Sequence, residues 1–70
     1  MFYKNQETPQ NNVAAVRKTA KMNQAELADA IGVTRQTIIA IEKGNYTPSI
    51  VLVLKLSKTL NTRIEELFWL

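Results

Sequence analysis

The chain has 70 residues, of which 46% are hydrophobic, carries a formal net charge of +3 and contains neither cysteine nor histidine. This length predicts a single domain near the lower limit for folding on its own core, and the hydrophobic content is too high for a disordered chain. The lack of Cys and His excludes disulfides and the usual zinc sites, and it disfavours nucleophilic or general-base catalysis.

The distribution of apolar residues disfavours membrane and secreted proteins. No run approaches the roughly 20 apolar residues that span a bilayer, and no basic start followed by an apolar run and a cleavage site is present. We therefore expect a cytoplasmic domain that is not an enzyme and that binds no metal and no cofactor. The modest positive charge leans toward a polyanionic partner, and so small a core often gains stability by pairing with a second copy.

The opening segment MFYKNQETPQ is polar apart from Phe2 and Tyr3, and it precedes the first periodic apolar stretch. We interpret residues 1–8 as an N-terminal arm of a single domain that covers residues 1–70. Because Phe2 and Tyr3 are β-prone, they raise the hypothesis of a short strand or arm near the C-terminal end of the chain.

The first helix is predicted from apolar spacing. Val13, Val16 and Ala20 recur at i, i+3 and i+7, as one face of a helix requires. We predict a helix that begins at about Pro9 or Asn12 and ends at Ala20, because a Thr-Pro pair and an Asn are both suitable N-terminal signals.

Two short helices follow, separated by a tight connection. Asn23 and Glu26 have the spacing of a capping box, so a helix begins there and ends at Gly32, where a left-handed residue commonly stops a helix. Thr34 is then the N-cap of a third helix over residues 35–43. A three-residue connection that contains glycine is typical of a helix-turn-helix motif.

The last third of the chain predicts two more helices. Thr47 or Ser49 caps a longer helix that continues to Leu60, and Thr62 and Glu65 have capping-box spacing before a short helix over residues 65–68. The longer helix presents a broad apolar surface made of Ile50, Val51, Val53, Leu54, Leu56 and Leu60. The predicted fold class is therefore all-α, with five helices.

The run MNQAELADAIGVTRQTIIAIEKGNYTPS resembles the DNA-binding domain of phage-repressor-like and Cro-like helix-turn-helix regulators, often called the Xre family. The closing IEELF resembles the fifth helix of that domain, so the likeness extends over residues 12–68. Many positions match in register: Gln24, Glu26, Leu27, Ala28, Gly32, Val33, Arg35, Gln36, Thr37, Ile38, Ile41, Glu42, Gly44, Pro48 and Ser49. The resemblance implies a compact lambda-repressor-like domain whose second and third helices form the helix-turn-helix.

The third helix is the candidate recognition helix. A recognition helix presents its N-terminal residues to base edges in the major groove, where Arg can bind guanine and Gln can bind adenine. Arg35 and Gln36 are therefore expected to contact bases. Ile39 and Ala40 also face outward, where apolar groups can read thymine methyls, although Ile39 has the alternative of flanking the core.

Other side chains are assigned to the DNA backbone by the resemblance. Gln24 matches a glutamine that holds a phosphate, and its place at a helix N-terminus favours anions for a physical reason. The expected backbone contacts are Asn23, Gln24, Thr34, Thr37, Lys43, Asn45, Tyr46 and Thr47. Of these, Thr34 and Thr37 match positions that contact either the backbone or bases.

Two features have structural interpretations. The family pattern pairs Glu42, a carboxylate on the apolar face of the third helix, with Arg17 of the first, as a structural ion pair. Phe68, Trp69 and Leu70 could cover the small core or contact a second subunit, and we favour both roles together.

The leading functional hypothesis is a sequence-specific regulator of transcription that binds double-stranded DNA as a homodimer and acts as a repressor. The alternative is a protein-interaction module, an antitoxin or adaptor with the same fold. No domain for sensing a small-molecule effector fits within 70 residues.

Overall fold

The computed structural model describes residues 7–70, in which five helices and one two-stranded sheet follow in chain order. They are β1 (Gln10–Asn11), α1 (Val13–Thr19), α2 (Gln24–Ile31), α3 (Arg35–Glu42), α4 (Ile50–Leu60), α5 (Ile64–Leu67) and β2 (Phe68–Trp69). The five predicted helices are all present, and the sheet is a small addition to them. No helix within this part of the chain is long and apolar enough to cross a membrane.

Local sequence signals determine the two central helices. At the start of α2, the Asn23 side chain accepts a hydrogen bond from the Glu26 N–H, and the Glu26 side chain accepts one from the Asn23 N–H, so the predicted capping box is confirmed. Gly32 ends α2 in the left-handed region with φ of 77°, which glycine adopts without strain. Thr34 caps α3, and the short turn between them brings α2 and α3 into extensive contact.

The beginning of the chain differs from its prediction. A helix from Pro9 is wrong, because β1 precedes α1 and Asn12 is the N-cap of α1, without a side-chain bond. The sheet is antiparallel and pairs Gln10 with Trp69 and Asn11 with Phe68. Of the predicted arm over residues 1–8, residues 1–6 lie outside the described part of the chain, and so does the predicted strand at Phe2 and Tyr3.

The predicted capping box at the start of α5 is also wrong. Arg63 is the N-cap of α5 and makes no side-chain cap bond. The Thr62 hydroxyl instead donates to the Leu60 carbonyl, and the Ser57 hydroxyl donates to the Thr62 carbonyl at 2.6 Å. Because of these bonds, Thr62 closes the end of α4 and does not cap α5. Helix α5 begins at Ile64, and the chain becomes extended at Phe68.

The core lies between the helices and draws on all five of them. Its buried apolar residues are Val13, Leu27, Ala28, Ile31, Ile38, Ile41, Leu52, Leu56, Leu60 and Leu67. α4 contributes Leu52, Leu56 and Leu60, which recur at every fourth residue, whereas Ile50, Val51 and Leu54 of the predicted broad apolar surface are exposed. The first five residues of α4 are all apolar, so the sequence does not reveal which of them are buried.

Candidate nucleic-acid interface

The first turn of α3 presents two polar side chains to solvent. The Thr34 hydroxyl accepts a hydrogen bond from the Thr37 N–H at 3.2 Å and lies 3.1 Å from the Thr37 hydroxyl. The cap therefore holds both threonines against the helix end. Arg35 and Gln36, the first two residues of α3, are exposed.

α3 separates a buried face from an outward face. Ile38 and Ile41 are buried in the core. The outward face carries the amide of Gln36 and the ammonium of Lys43, which are both exposed. It also carries two apolar side chains, Ile39 and Ala40, which are partly exposed. This outward face has both hydrogen-bonding and apolar groups, the two kinds of contact by which base edges are read.

The loop that follows α3 begins with three polar residues. Its first N–H, that of Asn45, donates to the Ala40 carbonyl at 2.9 Å, so the loop begins by closing the last turn of the helix. Asn45, Tyr46 and Thr47 are all exposed. The loop therefore offers an amide and two hydroxyl groups to a partner at the C-terminal end of α3.

A surface cleft joins the first turns of the two central helices. It is lined by Arg17, Asn23, Gln24, Ala25 and Arg35. The lining supplies two amides and the guanidinium of Arg35, together with the guanidinium of Arg17, whose three nitrogens already donate to Glu42 and the Met22 carbonyl. The first N–H groups of α2 also lack intrahelical acceptors and carry the positive end of the helix dipole. A cleft with this lining suits an anion such as a phosphate.

Arg17 and Glu42 form an ion pair behind this cleft. Arg17 Nε donates to Glu42 Oε2 at 2.6 Å and Arg17 Nη2 donates to Glu42 Oε1 at 3.2 Å, a two-pronged contact. Their side chains are only 9% and 8% exposed. Arg17 Nη1 also donates to the Met22 carbonyl at 2.9 Å, so the guanidinium ties α1, the turn before α2 and the end of α3 together.

Glu42 stays ionised despite its burial. Desolvation acts to raise its pKa, but hydrogen bonds from Arg17 and Gln24 and the positive charges of Arg17 and Lys18 outweigh that effect. The pKa of Glu42 therefore lies below its ordinary value, and the hydrogen bond to Glu42 raises the pKa of Arg17. The pair is fully charged at neutral pH.

Gln24 has a partner that the sequence did not indicate. Gln24 Nε2 donates to Glu42 Oε1 at 3.0 Å, although the two residues are 18 positions apart. The proposed phosphate ligand is thus hydrogen-bonded to the structural ion pair. No local pattern signals this contact, because it depends on how α2 packs on α3.

A second contact that the sequence did not indicate lies in the same last turn of α3. The Asn11 side chain donates to the Ile41 carbonyl in the last turn of that helix. Its oxygen also accepts from the Val13 N–H at the start of α1. One amide therefore joins the terminal sheet to α3.

The aromatic C-terminal segment is divided between core and solvent. Phe68 is partly buried and packs against the core, whereas Trp69 is 43% exposed and Leu70 is 82% exposed. The two exposed residues stand at the sheet, where the Gln10 side chain donates to the Leu70 carbonyl at 3.3 Å.

Residues 7–70 contain no candidate metal site. The described side chains contain no cluster of three or more His, Cys, Asp or Glu residues that could hold an ion. The polar groups that do converge, in the cleft and along α3, are amides, hydroxyls and cations.

Comparison with known proteins identifies the family. A sequence model of the family described as Helix-turn-helix, HTH_3, matches residues 13–67. The uncharacterized HTH-type transcriptional regulator YgzD of Bacillus subtilis (strain 168) is 45% identical over 60 residues, which cover 86% of this chain and 91% of YgzD. The cryptic phage CTXphi transcriptional repressor RstR of Vibrio cholerae is 37% identical over 57 residues, which cover 81% of this chain and 51% of RstR.

A solved structure agrees with the sequence matches. The restriction-modification controller protein C.AhdI from Aeromonas hydrophila has 28% identity and a TM-score of 0.72, over 77% of this chain and 82% of C.AhdI. This likeness confirms the predicted lambda-repressor-like fold, with its helix-turn-helix at α2 and α3. The chain belongs to the helix-turn-helix family of phage-repressor-like and Cro-like proteins, and it is a DNA-binding regulator of transcription.

Proposed function

We propose that this protein represses transcription as a homodimer that reads a specific sequence in the major groove of double-stranded DNA with α3. The observation that carries the proposal is the shared cleft of Arg35, in the first turn of α3, and Gln24, in the first turn of α2. A phosphate ligand and a base ligand on one side of a helix-turn-helix are what docking into a groove requires.

Base recognition is assigned to the outward face of α3. Arg35 binds the two acceptors of a guanine, and Gln36 pairs with the donor and acceptor of an adenine. Ile39 and Ala40 follow along the same helix and contact thymine methyls. The partial exposure of both apolar residues supports this role, because a purely core residue would be buried.

Backbone contacts surround this face. Gln24 and the N-terminus of α2 hold one phosphate in the cleft, and the loop after α3 contacts another. The residues proposed to touch the sugar-phosphate chain are Asn23, Gln24, Thr34, Thr37, Lys43, Asn45, Tyr46 and Thr47. Thr34 and Asn23 act chiefly as helix caps, and they add the polar capacity that their cap bonds leave unused.

The dimer reads two half-sites of a near-palindrome, about one helical turn or ~34 Å apart. Phe68, Trp69 and Leu70 form its proposed contact, and the exposure of Trp69 and Leu70 supports this because aromatic and apolar groups are enriched at such interfaces. Repression is proposed from the 37% identity to RstR, which is named a transcriptional repressor.

Selection of bound sequences from a random pool of duplex DNA tests the proposal. We expect one enriched site with two-fold symmetry, a half-site spacing near one helical turn, and an affinity that falls steeply with added salt. Failure to enrich any sequence, together with salt-insensitive retention of a protein partner, would favour the protein-interaction module instead.

A further inference from the structure

The ion pair of Arg17 and Glu42 has a second neighbour, and that neighbour is the proposed phosphate ligand. Glu42 Oε1 accepts hydrogen bonds from both Arg17 Nη2, at 3.2 Å, and Gln24 Nε2, at 3.0 Å. Side chains from α1 and α2 therefore share one carboxylate of α3. We propose that Glu42 is a positioning residue for DNA binding, which presets the Gln24 amide for its phosphate; this inference rests on the proposed function.

The carboxylate fixes which way the amide faces. An ionised carboxylate only accepts hydrogen bonds, so the nitrogen of Gln24, and not its oxygen, must point to Glu42. The lowered pKa of Glu42 keeps it in that ionised state. The amide nitrogen has two hydrogens, and the contact to Glu42 uses one of them. The other remains to donate to a phosphate oxygen.

The carboxylate is itself held by hydrogen bonds to both of its oxygens. Two bonds from Arg17 hold both of its oxygens, and Arg17 is anchored in turn by the Met22 carbonyl. Gln24 lines the same cleft as Arg35, so the amide is held at the surface that the DNA would contact. A glutamine fixed before binding loses less side-chain freedom on binding than one that is mobile, and its phosphate contact is correspondingly stronger.

Simple charge arithmetic gives a different expectation. Removal of a carboxylate beside a phosphate site should strengthen DNA binding, and removal of both members of the ion pair should leave the net charge unchanged. Preorganisation instead predicts weaker binding in either case, because Gln24 loses the acceptor that orients it. The two expectations differ in sign or in size, which makes the proposal testable.

The test is a cycle of four proteins: the parent, Gln24→Ala, the apolar pair Arg17→Met/Glu42→Leu, and the combination of all three changes. Replacing both charged partners by apolar residues avoids an unpaired buried charge. Affinity for the selected DNA site is measured at several salt concentrations, after circular dichroism has shown that each variant is folded. Arg63→Met is the matched control, because it removes an exposed arginine that is remote from Gln24 in sequence.

We expect the apolar pair to bind DNA about 3- to 10-fold more weakly than the parent, the cost of ordering one long side chain. In the Gln24→Ala background the same pair should cause no further loss. An equal loss in both backgrounds would assign the pair a structural role alone, and no loss in either would refute the inference. If Gln24→Ala and the parent bind every DNA equally and without salt dependence, the proposed function itself fails.

Side-chain NMR of the parent gives a second measurement that needs no substitution. The Gln24 amide should show the order parameters of a rigid group in the DNA-free protein, in contrast to the exposed amide of Gln36. Equal mobility of the two amides would overturn the inference even if the apolar pair did not fold.

Discussion

The Asn11 side chain donates a hydrogen bond to the Ile41 carbonyl at 2.8 Å, which joins the first strand of the terminal sheet to the last turn of α3. The same side chain accepts from the Val13 N–H at 3.1 Å, so it satisfies an orphan N–H at the start of α1. At the end of α3 it is a second donor to the Ile41 carbonyl, which also accepts from the Gly44 N–H. A single amide thus caps two helices whose sequence positions are 30 residues apart.

Replacement of Asn11 is expected to destabilise the fold. Asn11→Ala leaves the Ile41 carbonyl and the Val13 N–H without this partner, at a cost of about 1–2 kcal/mol. The measurement is the midpoint of urea unfolding. Asn12→Ala is the matched control, since Asn12 is an exposed N-cap without a side-chain cap bond. Equal shifts in the two variants would show that the Asn11 bonds contribute nothing.

The ion pair of Arg17 and Glu42 predicts a strong asymmetry between single and double substitutions. Glu42→Ala leaves a buried guanidinium unpaired and should lower the free energy of unfolding by about 3–5 kcal/mol. Arg17→Met/Glu42→Leu removes both charges and should come much closer to the parent. Thermal and urea unfolding measure both. A Glu42→Ala protein that melts with the parent would contradict the burial of the pair.

Acid should lower the folding stability of the parent more than that of Arg17→Met/Glu42→Leu. The pKa of Glu42 is lowered in the folded state from an ordinary value of 4.5, so the folded carboxylate binds its proton less readily than the unfolded one. Its contribution to stability is therefore complete above that ordinary value and is lost as the pH falls through the lower folded value. Urea midpoints compared between about pH 7 and about pH 3 measure the loss. An identical acid dependence in Arg17→Met/Glu42→Leu would assign the loss to other carboxylates.

Arg35 should determine one base pair of the operator. Arg35→Ala is expected to cost about 1–3 kcal/mol of binding and to relax the preference at that position. Arg63→Ala removes an equal charge from the exposed N-cap of α5, so it corrects for net charge. Competition between operator and random DNA is the measurement. A parental ratio in the Arg35→Ala protein would mean that α3 does not read bases.

Self-association is expected to depend on the end of β2. Trp69→Ser/Leu70→Ser removes the proposed dimer contact and should shift sedimentation toward the monomer. The full palindrome should then be bound no more tightly than an isolated half-site. The exposed apolar residues of α4 provide the comparison, as Ile50→Ser/Leu54→Ser. A dimer lost only in the α4 variant would move the interface from the C-terminal segment to that helix.

Sequence reasoning succeeded where the determining interactions are local. Asn23 and Thr34 bond to groups three residues away, and Gly32 needs only its own positive φ, so the boundaries of α2 and α3 can be read from a few adjacent residues. The buried positions of α3 follow in the same way from helical spacing, because Ile38 and Ile41 are three residues apart and therefore share one face.

It failed where a side chain has a choice of local partners, or where the partner comes from a distant segment. Thr62 and Glu65 have capping-box spacing, but the Leu60 carbonyl takes the Thr62 hydroxyl instead. β1 consists of two polar residues with no strand pattern, and it exists because β2 offers it hydrogen-bonding groups. The contact of Gln24 with Glu42 likewise arises only after α2 and α3 have packed.

The terminal sheet has a consequence for how the molecule opens. Gln10 pairs with Trp69, and the Asn12 N–H donates to the Leu67 carbonyl at 2.9 Å, so each end of this region supplies the other's backbone partners. Pairing of residues so far apart in sequence carries a large loop-closure entropy cost, so β1 and β2 should pair late in folding and separate early in unfolding. Helices α2 and α3 instead associate through residues that are close in sequence. Strands β1 and β2 should therefore fray together as one unit in hydrogen exchange, before the helix-turn-helix loses any protection.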